Sequence, residues 1–169
     1  MSYLINNEGK ITNVKYSQVS SISQQQSTSA WVDVTGSSVS YTPTVGSDYV
    51  LYECTLYLGA NSGDVYGKFQ IYYSDDNGSN WSAPSNSAIA IGSDQFDLNL
   101  VGLFKLTHLI STWGSTERLF KLQFRRGGGS STECDLHQLP SFRGVGGVDS
   151  TTNYYKPVIM CSSITNSKD

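Results

Sequence analysis

The chain of 169 residues is short of charge and of helix formers. Charged residues make up only 15% of it and the formal net charge is −3, so no long-range field draws nucleic acid or an anionic membrane toward it. Ala, Glu and Lys are sparse, which argues against a helical body. No apolar run approaches the ~20 residues that cross a bilayer as a helix. The opening MSYLINNEGK has no basic stretch leading into an apolar one, and no secretory leader is expected. Cysteine is confined to Cys54, Cys134 and Cys161, far apart and odd in number. These read as unpaired, partly buried thiols of a protein made in a reducing cytoplasm.

The same scarcity limits chemistry. Cys134 and His137 have C-x-x-H spacing, but His108 and the other cysteines form no second pair, and structural zinc wants four ligands. Asp75, Asp76 and Asn77 ahead of Gly78 faintly resemble a calcium loop, yet the EF-hand spacing would need Tyr73 as its first ligand. No G-x-S-x-G nucleophile elbow occurs. "RRGGGSS", Arg125 to Ser131, follows a strand-like run instead of opening a helix. It reads as a turn with Arg125 and Arg126 on a solvated edge and not as a phosphate loop. Without a secretory route the Asn-x-Ser triplets at Asn77 and Asn80 are not expected to carry glycans. No catalytic residue, cofactor or metal is expected.

What the chain has is Ser, Thr, Gly and Tyr, the residues of strands and tight turns. From Trp31 onward it breaks into short runs: "WVDVTG", "SVSYTP", "YVLYECTLYLG", "VYGKFQIYYS", "SAIAIG", "LNLVGLFKLTHLIS", "ERLFKLQFRR" and "YYKPVIMCSSI". Gly, Asn, Asp, Ser and Pro separate them, the pattern of an all-β sandwich or barrel. In "FKLQF", Phe120, Leu122 and Phe124 point one way while Lys121, Gln123 and Arg125 point to a wet face. "YVLYECTLYL" is apolar on both faces, with Val50, Tyr52, Cys54, Leu56 and Leu58 on one side and Tyr49, Leu51 and Tyr57 on the other. Such a strand needs a second cover, either another subunit or a loop folded over it. Leu98, Val101, Leu103, Phe104, Leu106 and Ile110 have helical spacing, but Gly102 and Thr107 favour a strand. Residues 1–28 are polar and weakly periodic, and read as an extended arm that lies against something else in an assembly.

"YYSDDNGSNW" has Ser74, Asp76, Gly78 and Trp81 in S-x-D-x-G-x-x-W spacing. The pattern resembles the Asp-box of sialidases and other β-propellers. Asp and Asn side chains tie nearby backbone N–H groups, Gly78 takes positive φ without steric cost, and Trp81 folds back across the turn. In the families it resembles, the box is architectural and lies away from the catalytic pocket. A propeller needs at least four such blades, and this chain has one copy and no arginine cluster for a sialic acid carboxylate. The reading is a hairpin from Val65 to about Ala83 with an ordered tip.

"STSAWVDVTGSSVSYTP", with the apolar "YVLYECTLYLG" after it, the hairpin "KFQIYYSDDNGSNW" and the closing run "YYKPVIMCSSI", resembles a jelly-roll domain of tailed-phage virion proteins. That domain is similar to the tumour-necrosis-factor and complement globular-head fold. The resemblance covers about residues 27 to 169. It implies an antiparallel jelly-roll β-sandwich over residues 29–169 behind the arm at 1–28, and a homotrimer joined through Tyr49, Leu51 and Tyr57. It further implies a non-enzymatic virion protein on the particle exterior, bound to the major capsid protein or another virion protein through the arm. A second expectation is a short fibre tip that binds a host-surface glycan through Trp113, Tyr154 and Tyr155. Unlike many family members, the chain carries no shaft, heptads or collagen repeat.

Overall fold

The computed structural model describes residues 9–18, 24–26, 29–59, 64–92, 102–127, 132–136 and 158–166. Within them lie eleven strands and no helix. The strands are β1 (Gly9–Gln18), β2 (Gln24–Gln26), β3 (Val32–Asp33), β4 (Val39–Tyr41), β5 (Tyr49–Gly59) and β6 (Asp64–Ser74). They continue as β7 (Ala88–Gly92), β8 (Gly102–Ser111), β9 (Arg118–Arg126), β10 (Thr132–Leu136) and β11 (Val158–Asn166). Gly102–Ser111, where the apolar spacing left helix and strand open, is a strand paired residue for residue with β5.

Two antiparallel sheets form. The first runs β1-β11-β5-β8. Beyond the end of β11, β10 continues beside β5, and β2 lies outside β10. In the second sheet β3 and β4 share one edge of β9, followed by β6 and then β7. A short parallel contact between β10 and β6 links the two.

Side-chain alternation decides which face of each sheet is inside. Val50, Tyr52, Cys54 and Leu56 of β5 turn inward with Leu106 and Ile110 of β8 and Ile159 and Cys161 of β11. They meet Phe69 and Ile71 of β6 and Phe120, Leu122 and Phe124 of β9. Phe120 sits among aromatic rings, with centroids 5.3 Å from Trp113, 6.1 Å from Tyr52 and 6.4 Å from Tyr73. Tilted pairs of this kind add about 0.5–1.5 kcal/mol each beyond the area they bury. Cys54 and Cys161 are free, buried thiols that burial pushes up to about 12; protonated, they are poor nucleophiles. The side chain of Cys134 and all of His137 lie outside the described residues.

Three expectations change. Part of the arm belongs to the body: Gly9–Gln18 pairs with β11 along its length, Gly9 opposite Asn166 and Gln18 opposite Val158. An open β11 edge would leave a row of backbone donors and acceptors unpaired, and β1 pairs them. A bulge at Asn13, at φ 50°, turns its side chain to the Thr42 carbonyl (2.8 Å). Lys15 reaches Ser40 Oγ (2.8 Å), and the buried Tyr41 hydroxyl donates to the Asn13 carbonyl. Second, the hairpin does not close at Ala83. Tyr73 and Ser82 form one bridge, and after a turn at Ser85 and Asn86 the return strand β7 pairs with β6 as far as Gly92. Third, Lys121 is buried instead of wet. Its ammonium lies 4.0 Å from the Trp81 ring centre and 2.9 Å from Asp33 Oδ1.

Candidate functional site

With Val50, Tyr52 and Cys54 inside, Tyr49, Leu51 and Glu53 of β5 point away from the core. Register extends these positions across the first sheet. Ile11, Ile164, Tyr49 and Ser111 form one row; Tyr16, Met160, Glu53 and Thr107 form another. Between them Leu51 stands opposite Leu109, and at the far end Tyr57 stands opposite Leu103. In the single chain Tyr16 is 72% exposed, Ile11 and Leu103 58%, and Leu109 50%. Apolar side chains thus cluster on this outer face, interrupted by Ser162, Thr107, Ser111 and a Glu53–Lys105 ion pair. The charged pair on it is Glu53 with Lys105, and Glu53 is mostly buried beneath the neighbouring side chains while Lys105 stays largely in water.

The face holds two of the three expected interface residues, Tyr49 and Leu51, both half-buried. Tyr57 occupies an outward position of β5, but its side chain lies outside the described residues. Tyr16, Ile11, Leu103 and Leu109 were not singled out from the sequence. The β8 pair follows from strand alternation once "LFKLTHLIS" is read as β. Ile11 and Tyr16 carry no such signal, because their neighbours are at the other end of the chain.

At the tip after β6, Ser74, Asp76, Gly78 and Trp81 converge. Ser74 Oγ donates to Asp76 Oδ1 (2.6 Å) and accepts from Gly78 N (2.8 Å). Asp76 accepts from Asn80 twice, from its backbone N–H at 2.8 Å and its amide at 2.6 Å. These donors, Ser74 first, hold the Asp76 carboxyl down at about 2. Gly78 has φ 90°, and a Cβ there would sit 3.5 Å from Trp81. The carboxylate is thus occupied by its own turn. Among the described residues no group of His, Cys, Asp and Glu is placed to hold a metal ion.

Trp113, expected to face a ligand, packs on Phe120, donates Nε1 to the Thr116 carbonyl (2.9 Å) and carries Arg118 over its ring at 4.6 Å. Arg118 also stacks on Tyr73 and pairs with Asp75. Tyr154 and Tyr155 lie outside the described residues. Arg125, expected on a solvated edge, is half-buried with its guanidinium over Trp31 at 4.7 Å.

No protein-family model matches the chain, and no curated protein matches it.

Proposed function

We propose that the protein is a non-enzymatic structural component of a phage particle, a jelly roll that decorates the capsid exterior as a homotrimer. The apolar outer face of β1-β11-β5-β8 carries this reading. Its leucines, isoleucine and tyrosine are wet in the single chain, and a copy of the same chain is the partner always present at equal concentration. A threefold axis beside this sheet would bring Tyr49, Leu51, Leu109 and Tyr16 of each copy together and remove them from water.

The strand pairing supports the jelly roll. β6 pairs with β7, β5 with β8, β3 and β4 with β9, and β1 with β11. Each pair encloses the next in sequence, as when one long hairpin is wound into two layers. The segment that carries the resemblance to phage virion domains, "WVDVTGSSVSYTP", supplies β3 and β4. With Gly9–Gln18 held in the sheet, docking on the major capsid protein or another virion protein falls to the segment ahead of β1. The fibre-tip reading draws no support from Trp113, whose ring is already packed.

Native mass spectrometry at micromolar concentration tests the assembly. Three copies of the 18.5 kDa chain are expected, and a single copy overturns the reading. Symmetry-resolved microscopy of the particle tests the place. Many copies at capsid threefold positions are expected, and a few copies at the tail overturn the decoration role.

A further inference from the structure

The outer face of the second sheet carries a different surface. Opposite the buried Phe69 and Phe124, alternation turns Lys68 and Gln70 of β6 outward with Gln123 and Arg125 of β9 and Ala88 and Ala90 of β7. Register places Arg125, Lys68 and Ala90 in one row and Gln123, Gln70 and Ala88 in the next. Trp31, one residue ahead of β3, stands beside Arg125. Because the β7 positions are alanines the surface drops there, and a cleft of about 450 Å³ opens, walled by Trp31, Lys68, Gln70 and Arg125.

The polar groups of the cleft are arranged as donors. Arg125 is held by its stack on Trp31 and by a bond from Nη1 to the Ser29 carbonyl (3.3 Å). The stack leaves its remaining guanidinium N–H groups as donors beside the cleft. Tyr72 donates to Gln70 Oε1 (3.2 Å), which leaves the Gln70 NH₂ as the open donor. Lys68 makes no ion pair with any described residue. Among the described residues no carboxylate lines the cleft. On the same face Asp33 is engaged by Lys121 (3.1 Å) and Gln123 (2.7 Å). A cleft with charge of one sign over an apolar floor concentrates anions.

We propose that this cleft binds an acidic saccharide. A sugar carboxylate meets Arg125 and Lys68, ring hydroxyls meet the Gln70 amide, and the C–H surface of the sugar packs on the Trp31 indole and the Ala88 and Ala90 methyls. A bare phosphate would engage the two cations and leave Trp31 and Gln70 unused. A neutral sugar would leave both cations without a counter-charge. The cleft lies on the sheet opposite the apolar face, so it does not rest on the trimer reading and stays open in such an assembly.

Calorimetric titration of the intact protein with tri-galacturonate tests this, with neutral maltotriose and inorganic phosphate as the other arms. Saturable tri-galacturonate binding is expected, weakening with added salt and accompanied by a change in tryptophan fluorescence. Lys68→Gln and Arg125→Gln should each weaken it roughly tenfold or more, the loss of one charge-assisted contact. Lys68 makes no ion pair with a described residue, so K68Q should melt with the parent; if R125Q fails to fold, K68Q alone decides. Absence of tri-galacturonate binding, equal binding of maltotriose or of phosphate, or unchanged affinity in K68Q overturns the proposal.

Discussion

Replacing Leu109 by lysine puts one charge on the apolar face, on its edge strand β8, without touching the core. Leu109 points outward from β8, opposite Leu51, and is 50% exposed in the single chain. Full burial of a leucine side chain is worth about 1.5–3 kcal/mol. Half of that is already realised within the chain, so about 1 kcal/mol per copy remains to be gained on association. Three copies give about 3 kcal/mol, and at ~1.4 kcal/mol per factor of ten this is roughly a hundredfold in the trimer–monomer equilibrium. A buried ammonium without a partner adds several kcal/mol more, so a hundredfold is the lower bound. Sedimentation velocity over a micromolar dilution series reads the shift. Ile89→Lys is the control for a charge on the other sheet: Ile89 is 47% exposed, at the rim of the core on β7 opposite Phe69. L109K should dissociate where the parent and I89K stay assembled, with the melting of the isolated chain little changed. Equal behaviour of the two variants would refute the assignment of the face.

Other outcomes follow from the core and the titrating groups. Phe120→Ala, at the meeting point of three rings, should cost about 3–5 kcal/mol in urea unfolding, against the ~1 kcal/mol typical of point substitutions. The Asp76 carboxyl sits at about 2 in the folded turn, below its ordinary 3.8. Its stabilisation is therefore complete above about pH 4 and is lost as pH falls through 2; exchange of the Asn80 amide should quicken over that window, and D76N should abolish the trend. Burial lowers the pKa of His108 below 6.5, so the unfolded chain takes up the proton first. Stability should hold above pH 6.5 and fall below it, and His108→Gln should remove that part of the slope in pH-dependent melting.

Local alternation made much of the body legible. "RLFKLQFRR" announces a strand with Phe120, Leu122 and Phe124 inside, and "YVLYECTLYLG" announces one with Val50, Tyr52, Cys54 and Leu56 inside. The hairpin tip is legible too, because the side chains of Ser74 and Asp76 bond within their own turn. What stays hidden is whatever depends on distant partners. β1 reads as a polar arm because its neighbours are Val158–Asn166, at the far end of the sequence. Lys121 reads as wet because nothing nearby in sequence shows that Trp81 and Asp33 will close over it. Trp113 reads as a loop aromatic for the same reason, since Phe120 and Arg118 meet it only once β9 is in the sheet. The donor cleft combines residues of β6, β7, β9 and the segment before β3, and no spacing rule joins them.

β11 lies between β1 and β5. Val158–Asn166 is therefore an interior plank of the first sheet, and it is the strand partner of Gly9–Gln18 from far along the chain. Synthesis cannot build this layer from one end to the other. Gly9–Gln18 stays without its strand partner until Val158–Asn166 has been made, and closing the layer is a long-range step of the kind that makes β proteins slow to fold.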